Sequence, residues 1–173
     1  YAMRGGCYNV ALGHSALKVN TTGMYNAAVG SDSLLNNTTG CFNSAVGLAS
    51  MNNNTTGDFG TGIGNYAMYY NTTADNNTAV GMKASMCNVT GGANTAVGTC
   101  ALLNNTASSN TAVGFQVLAA NTSGAMNVGI GRAALLANTT ASNNTVTGHY
   151  AMSTNTTGSN NTASGLYSMY LNT

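Results

Sequence analysis

The chain has 173 residues, of which only 4% are charged, for a net charge of +1, where typical soluble proteins carry about 25% charged residues. It has no Lys/Arg cluster of the kind phosphate recognition needs and no apolar run near the roughly 20 residues of a spanning helix, so neither nucleic acid nor a membrane span is an expected partner. The acids are Asp32, Asp58 and Asp75 and the bases Arg4, Lys18, Lys83 and Arg132; Asn, Thr and Gly supply the polarity.

From Asn9 onward the chain repeats itself. Its units begin near Asn9, Asn26, Asn43, Gly60, Asn77, Asn94, Asn110, Asn127, Asn144 and Asn161. Each opens with a motif such as Asn94-Thr95-Ala96-Val97-Gly98, closed by Gly13, Gly30, Gly47, Gly64, Gly81, Gly98, Gly114, Gly131, Gly148 and Gly165. The step is 17 residues throughout, except for 16 between Gly98 and Gly114. A fixed period of this size marks a solenoid, in which each unit buries its apolar face against its neighbours. Disorder does not hold apolar residues to fixed columns, and Gly, Asn and Thr at this density are poor helix material. Asn-Gly and Asp-Gly, the strongest signals for antiparallel hairpins, do not occur. The expected fold is therefore all-β, a parallel β-solenoid of about ten coils. Residues 1–173 form a single array, and because Tyr1 and Thr173 both fall inside a repeat, it is expected to be a segment of a longer chain.

With the motif Asn as column 1 and its Gly as column 5, column 4 (Leu12, Val29, Val46, Ile63, Val80, Val97, Val113, Ile130) is β-branched or apolar and is assigned inward on a first strand. Column 3 is almost always Ala or Gly and would lie on a face that something approaches closely. A second strand is expected over columns 7 to 9. There column 9 (Leu17, Leu34, Met51, Met68, Leu102, Leu118, Leu135, Met152, Met169) supplies core and column 8 is again small. Columns 6 and 7 accept any residue, as a solvated corner does. The small columns suggest close approach by the opposite wall or by a neighbouring chain, with three chains favoured and Ala96 and Ala112 at the contact.

Columns 12 to 15 form the second corner, Asn-Thr-Thr-Gly, as in Asn37-Thr38-Thr39-Gly40, with its Gly expected at positive φ. Its Asn residues at Asn20, Asn37, Asn54, Asn71, Asn88, Asn121, Asn138 and Asn155 are formal N-glycosylation acceptors at what reads as an exposed corner. One turn copied along the chain carries the sequon by inheritance, and the same side chains, stacked at about 4.8 Å, are suited to an amide ladder. The ladder is the favoured fate, with glycans at a subset as the alternative.

The run Asn-Thr-Ala-Val-Gly, then Ala-Leu, then Asn-Thr-Thr-Gly resembles the head repeats of trimeric autotransporter adhesins and is similar to repeats of bacteriophage tail-fibre shafts. The resemblance covers essentially the whole chain. It implies a left-handed parallel β-roll, three chains side by side or an end-to-end filament, a cell or virion surface location, and attachment, with surface glycans as possible targets. The expected function is a structural, extracellular fibre or rod; a carbohydrate-binding surface and an ice-binding solenoid are the alternatives.

No catalytic, metal or cofactor set is expected. Cys7 and Cys41 share a column two coils apart, about 9.6 Å, too far for a disulfide, and Cys87 and Cys100 lie in different columns. His14 and His149 share a column eight coils apart. Asp58 and Asp75 fall in column 16 of successive coils, near 5 Å apart, a spacing that a glycosidase pair or a cation site also uses, but no third carboxylate supports them. Tyr8, Tyr25, Phe42 and Phe59 make an aromatic column suited to stacking on itself or on sugar rings. The paired Thr of the corner, as in Thr21-Thr22, raise ice binding but lack an outward Thr-x-Thr frame.

Overall fold

The computed structural model describes residues 6–172; Arg4 and the chain ends Tyr1 and Thr173 lie outside them. It is a parallel β-solenoid with no helix. Ten strands of three residues each, from β1 (Val10–Leu12) to β10 (Thr162–Ser164), form one parallel sheet in chain order. Register advances by one repeat per strand, so Thr78, Ala79 and Val80 sit beside Thr95, Ala96 and Val97. The short repeat is absorbed without a slip: β6 (Thr95–Val97) pairs with β7 (Thr111–Val113) residue for residue.

There is one strand per coil, not two. Columns 7 to 9 are turns, and the reason is backbone hand. Among the described residues thirty non-glycine positions have φ between 45° and 63°, and they fall in columns 7, 9 and 17. Left-handed backbone costs a non-glycine residue roughly 1–2 kcal/mol and suits a β-branched residue least of all. None of the thirty is Val, Ile or Thr. The corner interleaves local bonds with bonds between coils: Ala16 N–H donates to Gly13 O (3.4 Å), Leu17 N–H to Ser33 O (3.0 Å), Lys18 N–H to Ser15 O (3.3 Å) and Val19 N–H to Leu35 O (3.0 Å). The positive-φ glycines are those of column 5, from Gly13 to Gly165, and not those of the Asn-Thr-Thr-Gly corner. A Cβ on Gly98 would collide with the carbonyl of Gly114 in the next coil.

The inward column of the strand is also the reverse of the expectation. Ala28, Ala45, Ala79, Ala96 and Ala112 are fully buried, whereas Leu12, Val46, Ile63, Val113 and Ile130 of column 4 are exposed. Room decides this. The long column-9 side chains (Leu34, Met51, Met68, Leu102, Leu118) cross the interior and leave space for little more than a Cβ on the facing strand, although β9 takes Val146 in the same inward position. At Gly62 even a Cβ would come within 2.8 Å of Met51 Cγ. The small columns 3 and 8 thus face each other inside a single chain. Ser33 and Ser50 of column 8 bond Ala45 O and Gly62 O across that interior at 3.1 and 2.8 Å. Close approach comes from the opposite wall of the same coil, so these columns do not carry the expectation of neighbouring chains.

Two asparagine columns complete the interior. In column 1, Asn26 N–H donates to Asn9 Oδ1 (2.8 Å) and Asn26 Nδ2 donates to Gly40 O (2.8 Å), a pair of bonds repeated along the rod. In column 12, Asn54 Nδ2 donates to Asn37 Oδ1 (2.8 Å) and to Gly57 O (3.0 Å). Buried polar groups are costly unless satisfied. Here they are nearly all satisfied, by the next coil.

Candidate functional site

Two of the three acids are taken up by the stack, while Asp32 faces His14 at an exposed corner. Asp58 Oδ1 accepts the backbone N–H of Cys41 at 2.7 Å, and Asp75 Oδ1 accepts that of Asp58 at 2.8 Å. Cys41 Sγ does the same for Met24, and Ser108, Ser142 and Ser159 hydroxyls for Gly92, Ala125 and Ser142. Column 16 is therefore a column of acceptors that cap the coil before, and its carboxylates are used as serines are used elsewhere.

The four cysteines are free thiols, and burial pushes the Cys87 thiol up from its ordinary value. His14 lies 3.8 Å from Asp32 at an exposed corner, while His149 packs beside Tyr150 and Tyr167 at the other end of the array. Among the described residues no group of three or more His, Cys, Asp or Glu is placed to hold a metal ion. No described helix is long and apolar enough to cross a membrane.

Tyr8, Tyr25, Phe42 and Phe59 stack on one another, with centroids 4.9, 4.9 and 5.2 Å apart and ring planes within 10° of parallel. Each inner ring offers its faces to its neighbours and only its edge to solvent, so no sugar ring can slide between them. Farther on, Arg132 sits over the rings of Phe115 and Tyr150 at 5.8 and 5.5 Å, an exposed cation–π pairing. A shallow groove of about 700 Å³ is lined by Asn36, Asn53, Thr55, Tyr70, Thr72 and Val89. Its Thr55 and Thr72 hydroxyls already donate to Thr72 O and Val89 O.

The eight sequon asparagines do not lie at an exposed corner. Asn20 is 4% exposed, and Asn37, Asn54, Asn71, Asn88, Asn121, Asn138 and Asn155 are fully buried. The cause is the Nδ2 group, which reaches inward to the carbonyl three residues on, as from Asn20 to Gly23 O (3.0 Å) and from Asn121 to Gly124 O (2.8 Å). A glycan on any of these nitrogens would have to take the amide out of the interior.

What sequence reasoning missed is the outer face of the sheet. Columns 2 and 4 of every strand point outward together, giving Thr and Val in β5 (Thr78–Val80), β6 and β7. The signal was present in the Thr-x-Val alternation, once column 3 is recognised as the buried member. No protein-family model matches the chain, and no curated protein or solved structure shows significant similarity to it.

Proposed function

We propose that the chain is a structural rod, a shaft segment of an extracellular fibre or adhesin on a cell or virion surface, and not an enzyme. One observation carries this reading: Asp58, Asp75, the two asparagine columns and the column-13 threonines are spent, coil after coil, on bonding one coil to the next. Repetition without a break that gathers acid, base and pocket suits a member that sets length and stiffness. The expected partners are further copies of the chain, side by side or end to end. The stacked aromatic column favours self-stabilisation over sugar stacking, because its ring faces are occupied.

Imaging tests the reading. At about 4.8 Å per coil, the chain should appear as a short rod by negative-stain electron microscopy, and a tandem duplication should double its length at constant width. Globular particles, or a duplication that folds back on itself, would overturn it. Antibody labelling of intact cells or particles tests the surface location.

A further inference from the structure

Threonine recurs in three columns of the array, and the stack uses the hydroxyls of one of them. The corner threonines of column 13 donate their hydroxyls to the next coil, as Thr21 to Thr38 O (2.9 Å) and Thr122 to Thr139 O (3.0 Å). The strand threonines Thr61, Thr78, Thr95 and Thr111 lie half-buried on the outward side of the strand and make none of the coil-to-coil hydroxyl bonds of column 13. Val80 and Val97 stand beside them, two residues on, and no charged residue occupies either outward column.

We propose that this outer face binds ice, using the strand threonines and their column-4 neighbours as a fixed template for ordered water. Three features point there. The first is spacing. Strands in a ladder lie about 4.7–4.9 Å apart, and tetrahedral water at O···O near 2.75 Å places second-neighbour oxygens about 4.5 Å apart. A threonine hydroxyl repeated over four successive strands, from Thr61 to Thr111, therefore falls close to the repeat of hydrogen-bonded water.

The second is flatness. Ordinary sheets twist by about 20–25° per strand, which would carry a template out of register within a few strands. Here the stacked rings of Tyr8, Tyr25, Phe42 and Phe59, one residue before the strand-entry column, turn by only 6°, 10° and 7° between coils, and those of Tyr150 and Tyr167, in the corner after the strand, by 6°. Column-1 amide bonds hold the strand entries together on either side of Gly60, where the column is interrupted.

The third is area. Nine steps of about 4.8 Å by a strand width of about 10 Å give about 430 Å², well under the roughly 800 Å² per partner of a stable protein interface. A second copy of this chain is thus a poor occupant for this face. A lattice of water, which needs no minimum area per partner, fits it. This proposal does not rest on the rod reading: rod-shaped particles that ignore ice leave that reading intact.

The purified chain, fluorescently labelled, is offered to a growing single crystal of ice, and freezing hysteresis is measured on the same sample. Uptake into the ice, with shaped crystals, is expected. Thr95→Lys on the face should lower hysteresis at least tenfold, while Thr140→Lys, on the exposed corner, should leave it unchanged, both at unaltered melting temperature. Should Thr95→Lys fail to fold, Thr95→Ser keeps the hydroxyl, removes one methyl and should lower hysteresis measurably. Rejection of the wild-type chain from the ice front overturns the proposal. So does full activity in Thr95→Lys, or a dimer in sedimentation that Thr95→Lys dissociates, which would give the face to a second copy.

Discussion

The fifth and sixth coils differ from the first four in how their corners are tied. In the first four coils the column-12 amides run without a gap, Asn37 to Asn20, Asn54 to Asn37 and Asn71 to Asn54, at 2.9, 2.8 and 2.7 Å. Thr38 O there accepts three backbone N–H groups, of Thr21, Thr22 and Gly23, as well as the Thr21 hydroxyl. Around the short repeat this thins out. Asn71 Oδ1 has no partner, Asn88 turns to its own Gly91, and Val89 O accepts only the N–H and hydroxyl of Thr72. Val89 stands where other coils have Thr, and the missing residue falls in the corner, between Thr106 and Ala107. The ladder resumes from Asn121 to Asn105.

The strand wall shows no such fault at that level. Asn94 N–H still meets Asn77 Oδ1, and Asn110 N–H meets Asn94 Oδ1, both at 2.9 Å. The interruption of column 1 lies elsewhere, at Gly60, beside an unbroken stretch of column 12. The two ladders thus cover each other's gaps. Stability in such arrays is nearly a sum of unit and interface terms, so coincident faults should matter more than separate ones.

The largest effect should come from making faults coincide. Asn94→Ala removes bonds to Ala107 O, Gly91 O and Asn110 N–H at the level where column 12 is already open. It should cost about 4 kcal/mol and split urea unfolding into two transitions. Asn144→Ala removes bonds to Gly158 O and Asn161 N–H where column 12 is intact; it should cost about 3 kcal/mol and leave one transition. Equal behaviour of the two variants would show that the ladders do not share load.

Next comes the left-handed column. Leu34 is fully buried at φ 48°. Leu34→Ile conserves volume, but a β-branched residue is poorly suited to that backbone, and the cost should reach about 2–3 kcal/mol. Leu34→Met should stay within about 1 kcal/mol. Denaturation midpoints of the pair separate backbone strain from packing.

The interior predicts a coupling. Val117, where column 8 is otherwise small, lies against Gly129, where column 3 is mostly Ala, and a Cβ on Gly129 would meet Val117 Cγ1 at 2.5 Å. Val117→Ala should cost about 2 kcal/mol and Gly129→Ala about 1–3 kcal/mol. The double variant restores the Ala–Ala pairing seen at Ala84 and Ala96. A double-mutant cycle should show about 2 kcal/mol of compensation, and additivity would contradict the packing described.

Much of this was legible in the sequence. Period, parallel coils, the column-5 glycines, the column-9 core and the amide ladder all follow from what recurs at fixed positions. The inward face of the strand was not legible, because the rule that larger apolar residues go inside competes with available room. Val97 is larger than Ala96, yet only Ala96 fits beneath the facing column-9 side chains. Two signals went unused. Column 9 is never β-branched, which speaks for left-handed backbone and against a second strand. The corner glycine is replaced by Ala at Ala74 and Ala141, which places the obligatory positive φ elsewhere.

The smallest effect should be a gain, and it returns to the thinned level. Column 9 is Leu or Met in every coil but one, where Ser85 stands, buried to 1% exposure, with an Oγ that has no hydrogen-bond partner. An unsatisfied buried hydroxyl costs about 1–3 kcal/mol, and Ala adds no bulk and no β-branch at a residue whose φ is 49°. Ser85→Ala should therefore raise stability by about 1 kcal/mol, read as a higher urea midpoint at unchanged slope. The same change at Ser50, whose hydroxyl donates to Gly62 O at 2.8 Å, should lower it by a similar amount. A loss in both variants would mean that the Ser85 hydroxyl is bonded in solution, and the thinned coils would then be better tied than their geometry shows.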